Sequence, residues 1–268
     1  MHITGRLSKL KIKEGSPSSY QLMMSGKSID LSSCIGQQIQ ISFDGDIFCE
    51  VCHELTPKSY QGCCFNCFNV LAMNDRCVMQ PHLCHFAKGT CREPAWGMLH
   101  CMQPHIVYLA WTSDLKVGIT KVQNIPERWL DQGALVAKVL CKTQSRYHAG
   151  LIENHLHQTY SDRTQWQSML KASSIPQELD IIKEWENAKQ VVLNASFSFM
   201  DTVEFIDQTA QYFSYIAPGQ PKIKSLSLDK VSKVSDVLRG MKGQYLYLDS
   251  GVINIRKHTG YQVSINLG

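Results

Sequence analysis

Nine of the eleven cysteines in this chain of 268 residues fall between Cys49 and Cys101. A stretch that short cannot bury enough apolar surface to hold a fold together, so it needs a staple. Disulfides and metal thiolates are the two chemistries that supply one. The N-terminus, Met1 to Lys13, alternates basic and apolar residues and lacks the continuous apolar run of an export signal. A reducing, cytoplasmic setting is therefore expected, and with it metal ligation. No membrane association is expected, because the densest apolar run near the middle, Ile106 to Trp111, is far too short to cross a bilayer.

Spacing separates the cysteines into two sets. Cys49-x2-Cys52 and Cys64-x2-Cys67 lie eleven residues apart. Each pair presents two thiolates on a tight turn, and together they offer the four soft ligands of a tetrahedral zinc. Cys63 is the register-slip substitute for Cys64, but only Cys64 completes a CxxC with Cys67. The second set is looser: Cys77, Cys84, Cys91 and Cys101, with His85 and His105 as substitutes. One or two zinc ions are expected, although an iron–sulfur cluster would use the same residues. Both sets are closed by four protein ligands and leave no position for water, which marks a metal that builds structure. Cys34 and Cys141 stand apart and read as small buried apolar residues. His82 and His100 read as surface or satisfied core histidines.

The net charge of +4 is spread along the chain without a polybasic tail. A nucleic-acid surface would have to be assembled by folding.

The expected fold class is α+β, in four segments. Residues 1–47 read as a small β-sheet or partial barrel, with strands at Tyr20 to Met24 and Gln38 to Phe43 and a turn at Asp44-Gly45. Residues 48–104 form the zinc-binding module. Residues 105–172 read as an α/β core. Strands His105 to Trp111 and Leu115 to Ile119 turn at Ser113-Asp114, and a helix capped by Asn124, with Pro126 in its first turn, stops at Gly133. A further helix runs from Arg146 to Tyr160, with Ile152, Leu156 and Tyr160 on one face. Residues 173–268 read as a helix from near Pro176, burying Leu179, Ile182 and Trp185. A β-meander follows over Gln244 to Leu248, Val252 to His258 and Tyr261 to Ile265.

Further motifs carry a family resemblance. Cys84-His85, Gly89-Thr-Cys91-Arg92, Trp96 and Cys101 are followed by Val107-Tyr-Leu-Ala110, Lys116-Val-Gly-Ile-Thr120 and Arg128-Trp-x-Asp-Gln-Gly-Ala134. With these the chain resembles a bacterial family of zinc-ribbon-like proteins of no settled function. Residues 105–160 also resemble the GIY-YIG nuclease core. Ile106-Val107-Tyr108 falls on its first triplet, Lys116-Val117-Gly118 on its second, and Arg128, Glu153 and His157 on its later arginine, glutamate and Glu-x-x-x-His positions. Ile106 departs from the first glycine and Lys116 from the second tyrosine.

The resemblance implies a zinc-stabilised protein that processes nucleic acid, as a Mg-dependent endonuclease. Tyr108 would assist water activation, Lys116 and Arg128 would meet phosphate, Glu153 would hold Mg²⁺, and His157 would stand one turn on. Two other readings stand beside it. One is nucleic-acid binding without catalysis on a decayed nuclease fold. The other is a structural or redox-responsive zinc protein acting through protein partners.

Overall fold

The computed structural model describes residues 1–161 and 165–268. In chain order the first strands are β1 (His2–Arg6), β2 (Lys11–Lys13), β3 (Ser19–Met24), β4 (Lys27–Asp30) and β5 (Gln38–Ile47). The cysteine-rich stretch carries short helices α1 (Phe65–Val70), α2 (Arg76–Met79) and α3 (Pro94–His100). Then come β6 (His105–Trp111), β7 (Leu115–Lys121), α4 (Glu127–Asp131), β8 (Val136–Thr143), α5 (Arg146–Leu156), α6 (Trp166–Lys171) and α7 (Ile181–Asn194). The last strands are β9 (Glu204–Phe205), β10 (Gln211–Tyr212), β11 (Ser225–Leu226), β12 (Lys233–Lys242), β13 (Tyr245–Leu248), β14 (Gly251–Asn254) and β15 (Tyr261–Leu267). The fold is a mixed α+β one, and among the described residues no helix is long and apolar enough to cross a membrane.

The chain divides into two compact units. Met1–Asn69, Leu130–Gly133 and Phe213–Gly268 make the first, and Val70–Trp129 with Ala134–Tyr212 the second. Four segments were expected from sequence. The cysteine-rich stretch is shared out, with Cys49 to Cys67 in the first unit and Cys77 to Cys101 in the second.

The first unit holds a seven-stranded sheet in the order β1-β15-β5-β12-β13-β14-β11 and a three-stranded sheet, β2-β3-β4. The two ends of the chain meet here, with His2 opposite Asn266 and Arg6 opposite Gln262. In β15 the residues alternate, so that Tyr261, Val263, Ile265 and Leu267 point inward. They join Ile39, Ile41, Leu238 and Leu246 in a core where each full burial is worth roughly 1.5–3 kcal/mol. Asp44-Gly45, expected as a turn, lies within β5. The ladder with β15 slips there, pairing Phe43 with Val263 and Ile47 with Tyr261. Gly45, at φ +100°, supplies the backbone conformation of a bulge that most side chains avoid. The expected strand Val252 to His258 stops at Asn254 and becomes a 3₁₀ turn, Arg256–His258, whose His258 ring is buried.

The second unit is built on an antiparallel sheet in which β6 lies between β7 and β8, with short β10 and β9 pairing β8. As a central strand β6 is buried along nearly its whole length rather than in alternation. Helices α5 and α7 cover the sheet. Ser145 caps α5 by accepting from the His148 N–H at 3.2 Å, and Ala149, Ile152 and Leu156 form its buried stripe. Asp180 caps α7 by accepting from Ile182 and Lys183 N–H groups at 3.0 and 3.1 Å. Its buried stripe is Ile181, Trp185, Ala188 and Val192, and Ile182 is 62% exposed. Leu179, expected on the same helix face, lies before the cap at Asp180, and Ile181 rather than Ile182 shares the buried face with Trp185. Trp185 donates its indole N–H to the Val139 carbonyl at 2.8 Å. Asn124 does not cap a helix; it ends the 3₁₀ turn Val122–Asn124, and α4 begins at Glu127 after a cis Ile125–Pro126 bond.

Candidate metal centre and cationic cluster

The first cysteine set follows directly from two tight turns. After β5 the chain turns through Cys49–Cys52, with His53 at φ +63° and its N–H donating to the Cys49 carbonyl at 3.0 Å. The Val51 N–H points at the Cys49 sulfur at 3.4 Å. The second turn, entered through Gly62 at φ +92°, leads into α1, and there the Cys67 N–H points at the Cys64 sulfur at 3.4 Å. A hydrogen bond from the Glu50 N–H to the Gly62 carbonyl, 2.8 Å long, ties the turns together. Tyr60 packs against Phe65 and Phe68 with ring centroids 5.7 Å away in each case.

The result is a cluster in which the sulfurs of Cys49, Cys52, Cys64 and Cys67 all lie within 4.8 Å of one another. Cys52 and Cys64 are 3.8 Å apart. Bonds of about 2.3 Å at tetrahedral angles would place sulfurs about 3.8 Å apart, so the donor set fits zinc. Backbone N–H groups aimed at sulfur supply the outer contacts that such a site requires. Charge points the same way. Burial opposes ionisation of Cys49, but the N–H groups of Cys52, Cys64 and Val51 pull it down to about 6. The Cys64 sulfur, helped by burial, pushes Cys67 up to about 12. Four adjacent thiols cannot all ionise without a cation among them, and a divalent metal resolves that conflict. Cys63 is buried outside the cluster and pairs its backbone with Tyr60, so Cys64 is the ligand that the turn selects.

The second set is less tightly drawn together. Cys77, Cys84, Cys91 and Cys101 line one small cavity with Asp75, Arg92 and Gly97. The group whose ligand atoms approach within 4.8 Å is Asp75, Cys77 and His85, and Asp75 was not read from the sequence. Asp75 caps α2 by accepting from the Cys77 N–H at 3.1 Å and pairs with the Arg92 Nε at 2.7 Å. Its Asp-x-Cys spacing at a helix start was the available signal. His105 falls in neither close group among the described residues. Its ring is buried, bonded through Nδ1 to the Gln103 carbonyl at 2.8 Å, and burial takes it down to about 4. His100 stacks on Trp96 at 4.5 Å and meets the Lys121 amine at 3.0 Å, while His82 is half-buried. Cys34 and Cys141 are both buried, Cys141 wholly so.

The residues singled out by the nuclease resemblance gather on β6, β7, α4 and α5. Tyr108 is fully buried, its ring edge-on to Trp129 with centroids 5.7 Å apart. Lys116 is buried on β7, and its ammonium is held down to about 8 by burial and by Arg128, with Glu153 acting in the opposite sense. Arg128 is half-buried on α4, and Glu153 is half-buried in the last turn of α5. His157 is the C-cap of α5, its N–H donating to the Glu153 carbonyl at 3.0 Å. Arg146, at the start of α5 as expected from the sequence, lies within electrostatic reach of Glu153 and Arg128. Lys116 and Arg146 thus each lie within electrostatic reach of Glu153 and of Arg128. Arg146 and Glu153 lie seven residues apart on α5, two turns along the same helix face.

The fold and site define a mixed α+β protein with a four-cysteine centre that can hold one zinc ion. The chain belongs to the family described as Protein of unknown function (DUF2797), whose model matches residues 36–263. No curated protein and no solved structure matches it.

Proposed function

We propose that this is a zinc-stabilised protein that processes nucleic acid, cleaving phosphodiesters with Mg²⁺ at the Lys116, Arg128 and Glu153 cluster. The observation that carries this reading is that Lys116, buried on β7, and Arg146, at the start of α5, each lie within electrostatic reach of both Glu153 and Arg128. A phosphate is an anion that forked guanidinium groups bind well, and Mg²⁺ is commonly held by one carboxylate together with substrate phosphates. Glu153 is the residue that would hold the ion, which would supply charge neutralisation at the phosphate. The sequence resemblance of residues 105–160 to a GIY-YIG core supports the same reading, its motif positions occurring in order. The zinc ions, one or two, serve as staples.

A second reading has a specific observation in its favour. Tyr108 is fully buried, and a phenol shielded beneath Trp129 is poorly placed to activate water. Binding of nucleic acid without cleavage would use the same cations. The deciding experiment incubates the zinc-loaded protein with labelled single- and double-stranded DNA and RNA, with and without Mg²⁺. Cleavage abolished by Glu153→Ala supports the enzyme. Salt-sensitive binding that survives Glu153→Ala and weakens in Arg128→Ala, with no cleavage, supports the binding protein. Neither binding nor cleavage would leave a zinc protein that acts through protein partners.

A further inference from the structure

We propose that Cys77, Cys84, Cys91 and Cys101 together hold a second zinc ion, with Arg146 as its neighbouring counter-cation. This does not depend on the nucleic-acid reading. The four thiols come from four different local structures: the first turn of α2, the residue after the 3₁₀ turn Pro81–Leu83, the irregular stretch after Gly89, and the C-cap of α3. All four nevertheless line one cavity of about 10 Å³. That is room for about one atom-sized occupant. The approach of α3 to this cavity requires Gly97, where a Cβ would lie 3.3 Å from the Cys91 sulfur and 2.9 Å from the Phe86 ring.

The closer group of Asp75, Cys77 and His85 is the rival ligand set, and its polar atoms are already engaged. The Asp75 carboxylate receives the Cys77 N–H and the Arg92 guanidinium. The His85 Nδ1 meets the Thr90 hydroxyl at 2.7 Å, and its Nε2 faces Asp75 at 3.5 Å. These contacts are the kind that orient a site from behind its ligands. The thiols carry the soft donors that zinc prefers.

Charge supplies an independent argument. A zinc ion held by four thiolates keeps a net negative charge, and inside a protein that charge needs cations and N–H donors nearby. Arg146 lies within electrostatic reach of Cys101 and Cys77. Its backbone N–H donates to the Cys101 carbonyl at 2.8 Å, and its Nη2 donates to the Val78 carbonyl beside Cys77. Its Nε is buried with no hydrogen-bond partner. A buried guanidinium N–H left over on a residue bonded to the Cys101 backbone is accounted for by an anionic metal centre held by these thiols. The segment is also seated firmly on α5, because a Cβ at Gly150 would come within 2.8 Å of the Pro81 and His82 backbone.

The test is metal stoichiometry of the full chain by native mass spectrometry, combined with alkylation of the zinc-loaded wild type. Two zinc ions per chain are expected, with Cys84 and Cys91 protected from alkylation until a chelator removes metal. The Cys52→Ser/Cys64→Ser variant should retain one zinc, and its cobalt-substituted form should show the absorption of a four-thiolate tetrahedral site. His85→Ala should retain two. A wild type that binds one zinc, with Cys84 and Cys91 alkylated at once, would overturn the proposal, and this outcome needs no variant to fold. Loss of one zinc in His85→Ala would overturn the four-thiol ligand set in favour of the rival group.

Discussion

The Tyr108 hydroxyl lies directly over Gly118, its partner across the β6–β7 ladder, so closely that a Cβ at position 118 would fall 2.6 Å from that oxygen. The glycine of the second triplet is therefore reserved for a neighbouring side chain. A phosphate would find that space taken.

Gly118→Ala should accordingly be destabilising. Tyr108 is fully buried against Trp129 and cannot swing aside. Overpacking of this kind costs about 1–3 kcal/mol. Tyr108→Phe should not rescue the variant, because the ring carbon Cζ is also only 2.7 Å from the added methyl. Urea denaturation of the single and double variants measures both effects, and an unchanged midpoint for Gly118→Ala would contradict the contact.

Cys52→Ala removes an exposed thiol, so it loses almost no packing. Its effect must pass through the metal. We expect loss of the zinc held by Cys49, Cys52, Cys64 and Cys67 and local unfolding of that segment, since structural zinc binding is folding free energy. Zinc content and proteolysis of the region around Glu50 to Phe68 report on this. Full zinc content with wild-type resistance would show that the four sulfurs are not the ligands.

Lys116 gives a pH dependence with two opposite signs. Burial, reinforced by Arg128, lowers it from 10.5 to about 8. Its ammonium can meet a phosphate only below that value, so affinity for a nucleic-acid backbone should weaken as pH rises through about 8. Stability moves the other way. Between about 8 and 10.5 the unfolded chain holds the proton that the folded chain has lost, so this residue's contribution to stability rises with pH across that window. Lys116→Arg keeps its charge throughout and should flatten the binding profile. Fluorescence anisotropy across pH 6.5 to 9.5 compares the two proteins, and identical profiles would remove Lys116 from the site.

Glu153→Ala should leave stability within about 1 kcal/mol of wild type, because alanine is the best helix former and the position is only half-buried. Calorimetry measures it. A loss above about 3 kcal/mol would assign the carboxylate a structural role through its cationic neighbours and would weaken any catalytic reading of it.

The first metal centre was legible because its geometry is local. A CxxC turn places two sulfurs together through a handful of backbone torsions, and eleven residues span the gap between pairs. The strands flanking Ser113-Asp114 were legible for the same reason. Strand β8 was passed over. Its eight residues, Val136–Thr143, are buried on both faces and show no clean alternation to read.

What the residues decided alone is therefore short-range: the two CxxC turns, the α+β character, the hairpin of β6 and β7, and the helix that begins at Arg146. The tertiary structure decided whatever depends on partners far away in the chain. It placed β5 between β15 and β12, turned Asp44-Gly45 from a hairpin signal into a bulge, and closed β1 against β15 across the whole length of the sequence. It also brought Arg146 against Cys101, whose carbonyl accepts its backbone N–H, and it buried Tyr108 over Gly118. Those outcomes come from burial and strand pairing between segments that share no local pattern. Their free energy belongs to the packed whole, and no window of neighbouring residues contains it.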